Sequence, residues 1–300
     1  MKKRILSILL YLCMAAYMLP TVAFAADKGK AIQLGTNALN ENVNTATAPT
    51  VYFGQNQENN PAAWRVIGYD GSGVTSAQGD MTLLAANNMG LSKFGASNVY
   101  ADSDLKEEID TLAGKLTAKE TDAVEKRTLV SGSYNRENTD CVAGAQVDDA
   151  VFWPLSTAEA SAVNNDLRIL NKEYPNWAMY HWWLRSPGET PFSAAFVHGS
   201  GAVCYYGEYY DLAEYGVRPA FNLNLNSVLF TSAAVGGKPN GGLTPISEHT
   251  GNEWKLTLLD NSRNFAVTEK TVSGDTITFS YSNAQTGTNE YISVIIKDNG

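Results

Sequence analysis

The sequence predicts an α+β fold for the first part of the chain and a small all-β, sandwich-like domain after it. Three observations support this prediction. Short apolar runs bounded by turn residues predict strands near residues 51, 64 and 81. Between 102 and 129 apolar residues recur at helical spacing, and after residue 253 apolar and polar residues alternate with period two. A mixture of short strands, a few helices and long loops is typical of the α+β class.

The first 25 residues have the three parts of a secretory signal peptide. Lys2–Arg4 form a basic start, Ile5–Leu19 an apolar run, and Ala23–Ala25 a small-x-small cleavage site. Residues 26–50 are rich in Asn, Ala and Thr with little apolar periodicity, which predicts a leader or linker, or else a weakly held first strand. We therefore expect an exported protein, secreted or held at the cell surface, with no direct membrane span once the signal is cleaved.

Charge and cysteine content limit the classes of partner and bond. Without the signal peptide, 19 Lys and Arg face 31 Asp and Glu, a formal charge of −12. Such an acidic surface repels phosphate, so no nucleic-acid partner is expected. Loss of Cys13 with the signal leaves Cys141 and Cys204, and their spacing alone leaves open whether they form a disulfide or stay free thiols.

The first domain, residues 51–231, has its elements in the following order. Strands are expected at Val51–Phe53, Trp64–Tyr69 and Met81–Ala86. A helical part spans Asp102–Leu129, where apolar residues recur every three or four positions. The capping boxes Thr117–Glu120 and Ser156–Glu159 each predict the start of a short helix, because a Ser or Thr is followed three positions later by Glu.

Two motifs, His181–Gly188 and Gly216–Ala220, are the most informative features of the chain. The adjacent Trp182 and Trp183 followed by Ser-Pro-Gly predict a core strand that enters a rigid turn. Arg185 and Arg218 lie beside turn prolines in otherwise apolar motifs. We expect both guanidinium groups to tie loops together through hydrogen bonds to carbonyls or carboxylates.

These motifs resemble those of a domain family without an assigned function in secreted proteins of gut bacteria, marked by WWLRSPG and GVRPA. The resemblance covers about residues 51–230 and includes Val51–Gly54, Trp64–Ile67 and Val151–Ser156. It implies a C-type-lectin-like fold, related to formylglycine-generating enzymes and to the variable proteins of diversity-generating retroelements. It implies no chemistry, because one fold hosts many functions.

After the first domain, residues 232–252 concentrate Gly, Pro, Ser and Thr and are predicted to form a linker. Residues 253–300 are predicted to form the β domain, with strands around Trp254–Leu258, Ile277–Tyr281 and Tyr291–Ile296. The last residues, Asp298–Gly300, form a hairpin-turn signal without a return strand, so we expect the natural domain to continue.

No catalytic, metal-binding or cofactor-binding pattern stands out in the sequence. The three His, at 181, 198 and 249, lack metal-ligand spacing, so no metal and no cofactor are expected. Cys141 and Cys204 lack a motif matching the cysteines of formylglycine-generating enzymes, so an oxidase of that kind is kept as an alternative only.

A carbohydrate-binding lectin is a second alternative. The calcium-loop motifs of sugar-binding C-type lectins are absent from the chain. Asn222, Asn224 and Asn226 alternate with apolar residues, which places three amides on one face of a strand. A solvent-facing strand surface explains this row more simply than a ligand site does.

The stretch between the two motifs is predicted to bind a ligand. Tyr offers large, rigid contact area at a low entropic cost. The doublets Tyr205–Tyr206 and Tyr209–Tyr210 cannot point inward together from one extended segment, and acids beside them are costly to bury. The predicted ligand-binding residues are Phe192, His198, Tyr205, Tyr206, Glu208, Tyr209, Tyr210 and Asp211.

We therefore expect a secreted binding protein, and not an enzyme. Its partner would be a protein or glycan ligand on another cell, a phage or a host surface. Because variation in the retroelement relatives falls in the same interval, the resemblance also makes a diversified variable protein an expectation. Two further alternatives are that the rings pack a loop-rich core and that the whole chain is a structural surface module.

Overall fold

A computed structural model of the protein describes residues 32–33, 39–130, 146–170, 180–234, 251–260, 262–274 and 276–285. The chain forms two compact units, a larger one over Lys30–Leu258 and a smaller one whose described part begins at Leu259. The strands are β1 (Ile32–Gln33), β2 (Thr50–Gln55), β3 (Pro61–Tyr69), β4 (Ser72–Gly73), β5 (Asp80–Ala85), β6 (Leu91–Ser92), β7 (Val124–Glu125), β8 (Arg127–Val130), β9 (Gln146–Ala150), β10 (Trp153–Pro154), β11 (Trp182–Pro187), β12 (Ser193–Val197), β13 (Val203–Tyr209), β14 (Tyr215–Gly216), β15 (Pro219–Asn224), β16 (Val228–Ala233), β17 (Glu253–Leu258), β18 (Ala266–Ser273) and β19 (Thr276–Ser282). The α-helices are α1 (Asp104–Ala113), α2 (Ala118–Ala123), α3 (Thr157–Ala162) and α4 (Asn165–Arg168), and short 3₁₀ turns lie at Tyr100–Asp102 and Leu225–Ser227.

The larger unit contains a ten-stranded sheet curled into a half barrel. Its order is β1-β16-β17-β2-β3-β5-β15-β10, with β4 beside β3 and β7 beside β15. The β1–β16 and β17–β2 pairs are parallel, whereas the other pairs are antiparallel. Strand β17 therefore lies between β2, from the start of the unit, and β16, from near its end.

A five-stranded sheet in the same unit joins the two sequence motifs. Its order is β13-β12-β11-β14-β6. Strand β11 contains the double Trp, and β14 pairs with it in parallel through Trp182 and Gly216. Every residue of β11 is buried, so the prediction of a core strand at the double Trp is confirmed.

An aromatic cluster fills the core between β2, β3 and β15. The ring of Phe221 lies 4.7 Å from that of Trp64, 5.1 Å from Phe53 and 5.2 Å from Phe152, measured between centroids. The indole N–H of Trp64 donates to the carbonyl of Phe53 at 2.8 Å, so this large ring is buried without a stranded donor. The cluster supports the predicted strands at residues 51, 64 and 81, all of which are confirmed.

The two predicted capping boxes are confirmed. At α2 the Thr117 side chain accepts from the N–H of Glu120, and Glu120 reaches back to the Thr117 N–H. At α3, Ser156 and Glu159 form the same reciprocal pair. Each box satisfies two of the backbone donors that a helix leaves unpaired at its start.

The α+β prediction is wrong, and the C-type-lectin-like expectation is withdrawn with it. Among the described residues, strands make up 44% and helices 16%, which makes the fold β-rich. Part of the difference lies in Asp102–Leu129, which turns from helix to strand after Ala123. There the β-branched Val124 pairs with Leu223 of β15, so sheet pairing outweighs the helical periodicity of the preceding turns.

The C-terminal organisation also differs from the predicted division. Strand β17, assigned to the β domain, pairs with β2 and β16 of the larger unit, and its Trp254 is buried. The described part of the smaller unit contains the hairpin β18–β19 in place of a sandwich.

Of the predicted leader, Leu39 and Ala48 are core residues. The signal peptide with Cys13, the leader up to residue 38 apart from β1, residues 235–250 of the linker, Cys141 and the predicted strand at 291–296 lie outside the described residues.

Candidate functional site

The Tyr-rich stretch forms β13 and the turn after it. Strand β13 lies at one edge of the five-stranded sheet. Tyr206 and Tyr209 are each 54% exposed, and Tyr205 is also exposed. Phe192 lies just before β12, where its carbonyl accepts from the Tyr210 N–H, and it is 60% exposed. Tyr210 itself is half-buried and packs against the core. We call the exposed apolar group the aromatic patch: Phe192, Tyr205, Tyr206, Tyr209 and Leu212.

A bulge in β13 exposes both members of the first doublet. Between the pairs Ala194–Glu208 and Phe196–Cys204, β12 advances by two residues while β13 advances by four. Such extra residues leave the ladder and re-aim their side chains. Gly207 closes the bulge at φ +83°, a left-handed conformation that favours glycine. Tyr205 and Tyr206 consequently lie close together, with their ring centroids 6.3 Å apart.

Residues at the end of the first motif and directly after it form hydrogen bonds that hold the bulge. The carbonyl of Tyr206 accepts hydrogen bonds from the Glu189 N–H at 2.8 Å and from the Ser193 hydroxyl at 3.2 Å. Gly188, the last residue of the motif, donates to the Ser193 carbonyl at 2.7 Å. The Ser-Pro-Gly turn therefore fixes the backbone that carries the first two tyrosines.

The double Trp supports the other end of the stretch. The indole N–H of Trp183 donates to the carbonyl of Ser92 at 2.9 Å, and the Phe94 ring lies edge-on to Trp183 at 5.7 Å. The N–H groups of Phe94 and Gly95 both donate to the carbonyl of Tyr210, at 3.0 and 3.3 Å. The patch is thus held on a backbone that is tied to the core at two points.

Acidic side chains border the aromatic patch. Asp211 and Glu214 are exposed, and Glu208 is partly exposed and accepts from the Tyr209 N–H at 3.0 Å. Burial raises the pKa of Tyr215 to about 12, and the nearby charge of Glu208 adds to the shift. The pKa of Tyr206 is raised chiefly by a hydrogen bond with the thiol of Cys204. The phenols of Tyr206 and Tyr215 therefore stay protonated at neutral pH, and the carboxylate oxygens supply hydrogen-bond acceptors.

His198 lies at the other end of the β12–β13 hairpin from Phe192. It is exposed, and its Nδ1 accepts from the Ser200 N–H at 3.1 Å. Its ring is edge-on to His181 at 4.5 Å. Seven of the eight predicted ligand residues therefore lie on or beside β13, whereas His198 belongs to the hairpin turn.

The two motif arginines are buried in networks of hydrogen bonds. Arg185 forms a two-point ion pair with Glu159, through Nη1 and Oε2 and through Nη2 and Oε1 at 3.0 Å, and donates to the Pro154 carbonyl at 3.0 Å. Arg127 adds a second cation to the Glu159 carboxylate at 3.2 Å. Arg218 donates to the carbonyls of Ala85, Leu167 and Arg168 at 2.7–3.2 Å, and its guanidinium lies 4.9 Å from the centre of the Trp182 ring.

Leu212 is a surface residue that the sequence did not single out. It is 72% exposed and belongs to the aromatic patch. Scattered apolar residues are normal on protein surfaces, so the sequence carried no signal for it.

The three Asn residues predicted to share a solvent-facing surface differ in exposure: Asn222 is buried, Asn224 is partly buried and Asn226 is exposed.

Comparison with known proteins identifies one domain. Residues 87–225 match the model of a domain of unknown function, DUF6273. This match covers β6 to β15 and includes both motifs and the aromatic patch. Searches of curated proteins and of solved structures found no match to the chain. Within the described ranges, none of the helices is both long enough and apolar enough to span a membrane.

Proposed function

We propose that this chain is an exported binding protein that recognises a ligand through the aromatic patch together with Glu208 and Asp211. The observation that carries the proposal is the exposure of Phe192, Tyr206 and Tyr209 on a backbone tied to the core. Exposed apolar groups rimmed by polar residues mark interaction sites. A rigid support lowers the entropy lost when such rings become buried in a complex.

The chemistry of the patch suits a ligand with both apolar and polar surface. Tyrosine rings present flat faces that stack on side chains or on sugar rings, while their hydroxyls donate hydrogen bonds. The adjacent carboxylates accept hydrogen bonds from hydroxyl or cationic groups. We therefore propose a protein or glycan on another cell, a phage or a host surface as the partner. Among the described residues no observation supports the oxidase alternative.

Diversification of the patch is part of the proposal. Tyr205 and Tyr206 project from a bulge, so their side chains can change without altering the ladder between β12 and β13. Sequencing the flanking DNA tests this point. A reverse transcriptase beside a near-copy of the codons for residues 192–220 would support it, whereas the absence of both would leave a fixed binding site.

The binding role is tested on glycan arrays and on arrays of cell-surface proteins. We expect Tyr206→Ala and Tyr209→Ala to weaken any array hit by about 1–3 kcal/mol without changing the melting temperature, because hot spots are enriched in Tyr. Tyr281→Ala is a matched control, since Tyr281 is 52% exposed but lies in β19 of the smaller unit. The patch would be refuted as the binding surface if all three variants lost affinity equally. It would also be refuted if neither Tyr206→Ala nor Tyr209→Ala lost affinity.

A further inference from the structure

Acidic side chains, and no basic ones, accompany the aromatic patch along the chain. Between Arg185 and Arg218 the sequence contains no Lys and no Arg, and both of these arginines are buried. The same interval contains four acids that are exposed or partly exposed: Glu189, Glu208, Asp211 and Glu214. Among the described residues, none of these four carboxylates forms an ion pair. The stretch that carries the exposed rings therefore has a net negative charge.

Hydrogen bonds place two of these acids directly beside the rings. The N–H of Glu189 donates to the carbonyl of Tyr206 at 2.8 Å. Glu208 lies between the two doublets, and its Oε1 accepts from the Tyr209 N–H at 3.0 Å. The pKa of Tyr206 is raised chiefly by the Cys204 thiol, and the negative charge of Glu208 raises it further. Glu208 therefore acts electrostatically on a ring of the patch.

Lys93 is the basic residue on the segment that packs against this stretch. It is exposed and precedes Phe94, whose N–H donates to the carbonyl of Tyr210 at 3.0 Å. Lys93 takes part in none of the ion pairs between described residues. Its single positive charge does not offset four carboxylates, so the border of the patch remains acidic.

The exposed rings continue an aromatic run that begins in the core. The ring centroid of Tyr215 lies 5.0 Å from that of Phe196, and Phe196 lies 6.4 Å from Tyr206. Tyr206 is held against Phe196 in this way but remains 54% exposed. The face of an aromatic ring attracts cations, and a ring already fixed by packing loses little freedom when a partner covers it.

The protein itself contains an arginine held between a ring and a carboxylate. The guanidinium carbon of Arg127 lies 4.8 Å from the centre of the Trp153 ring, and its Nη1 lies 3.2 Å from Oε1 of Glu159. Both interactions suit a flat cation with several donors. The aromatic patch presents the same two kinds of group, aromatic faces and carboxylates, at the surface.

We propose that the partner of the aromatic patch is a protein surface that presents arginine side chains, and not a glycan. This inference rests on the proposed binding role of the patch. A guanidinium group of the partner packs on the ring of Tyr206 or Tyr209 and pairs with the carboxylate of Glu208 or Asp211. A neutral sugar makes no use of the negative charge, and an acidic glycan is repelled by it.

The test uses the full chain and two fluorescein-labelled peptides that have the same shape but differ in charge. One is acetyl-(Gly-Arg)₄-amide, and the other replaces each arginine by citrulline, whose urea group is neutral. Fluorescence anisotropy measures the affinity of each peptide. We expect the citrulline peptide to bind at least about tenfold more weakly than the arginine peptide. Raising NaCl from about 50 to about 300 mM should weaken the arginine peptide, because salt screens exposed charges.

Variants of the rings test the contact with the guanidinium group. Tyr206→Ala and Tyr209→Ala should each weaken binding of the arginine peptide by about threefold to thirtyfold, the range for loss of a cation–π contact. Tyr206→Phe should retain the affinity, because the face of the ring and not its hydroxyl binds the cation. If Tyr206→Ala lowers the melting temperature, Tyr209→Ala decides the test.

Variants of the acids test the contribution of charge. The double variant Glu208→Gln, Asp211→Asn should weaken the arginine peptide by about threefold to tenfold and reduce the effect of NaCl. Its matched control is Glu107→Gln, Glu269→Gln, which removes the same charge at exposed positions on α1 and β18. The control should bind nearly as tightly as the wild type, whereas a general attraction to an acidic protein would weaken both double variants equally.

The possible outcomes separate this inference from the proposed function. The inference is overturned if the arginine peptide does not bind, if the citrulline peptide binds as tightly, or if the two double variants behave alike. If array hits that depend on Tyr206 and Tyr209 are glycans, the inference fails but the binding role of the patch stands. If no ligand depends on either ring, both fail.

Discussion

Gly188 and Gly207 pack backbone to backbone, with no room for a side chain on either. A Cβ on Gly207 would lie 2.9 Å from the Cα of Gly188 and 2.6 Å from the carbonyl oxygen of Ala194. A Cβ on Gly188 would lie 2.6 Å from the carbonyl oxygen of Tyr206. The end of the first motif and the bulge of β13 therefore fit together only as two glycines.

We expect Gly207→Ala and Gly188→Ala to disturb the aromatic patch. Both variants must displace backbone, and Gly207→Ala also forces a side chain into a left-handed conformation, so each should lower stability by about 1–3 kcal/mol. Urea unfolding measures this loss, and array binding should weaken in parallel. Gly114→Ala serves as the control, because Gly114 has helical φ and a Cβ there meets no atom closer than 3.4 Å. If the Gly188 and Gly207 variants behave like it, the glycine packing does not support the patch.

The ion pair between Glu159 and Arg185 should make stability depend on pH in the acid range. Burial alone would raise the pKa of Glu159, but the charges of Arg185 and Arg127 and hydrogen bonds from Arg185 and the Ser156 N–H lower it from 4.5 to about 2. Because the folded-state pKa lies below the unfolded value, the stabilisation is complete above pH 4.5 and is lost as pH falls toward 2. Urea unfolding across this interval should show the loss.

Glu159→Gln tests the same network at neutral pH. It leaves the buried Arg185 without a counter-charge, which should cost on the order of 3–5 kcal/mol. It should also flatten the dependence of stability on pH between 4.5 and 2, apart from the contribution of other acids. A variant as stable as the wild type at pH 7 would contradict the structural role of the pair.

Arg218→Ala should lower stability by on the order of 2–4 kcal/mol, because it strands the carbonyls of Ala85 and Leu167 and removes the contact with Trp182. Arg218→Lys should restore little of this loss, since an ammonium group cannot reproduce the planar set of donors. Thermal unfolding and array binding are measured together. If either variant melts normally but loses its ligand, Arg218 belongs to the binding site and not to the framework.

Trp254→Ala should destabilise the larger unit by on the order of 3–5 kcal/mol, the usual cost of removing a buried Trp. Its side chain is 6% exposed and its strand pairs with β2 at Val51. Limited proteolysis gives a second measurement, since the resistant fragment should extend to Leu258 and not end at the predicted linker. A stable fragment that ends before Glu253 would show that β17 is dispensable.

Local signals predicted the local structure correctly. Continuous apolar runs gave strands β2, β3 and β5, and the reciprocal pairs Thr117–Glu120 and Ser156–Glu159 gave the starts of α2 and α3. The fold class did not follow, because the pairing of Val124 with Leu223 and of Trp254 with Val51 joins segments far apart in the chain. No periodicity within one segment records its partner.

The candidate sites likewise depend on strand pairing that the local sequence pattern does not record. The Tyr doublets predicted exposed rings, but alternation could not show that both Tyr205 and Tyr206 are exposed, because the two additional residues of the bulge change the faces. The burial of Asn222 had no signal either, since it depends on the pairing of β15 with β5 and with β7. In each case pairing between strands, and not the local pattern, determines the surface.

The position of β17 between β2 and β16 also determines the order in which the larger unit can be completed. A hydrogen bond from Tyr52 to Glu253 joins residues 201 positions apart, and the adjacent strands cannot pair through β17 until its last residues have been synthesised. Contacts of such long sequence separation slow folding. A nascent or truncated chain that lacks residues 253–258 therefore leaves two open sheet edges, which are templates for aggregation.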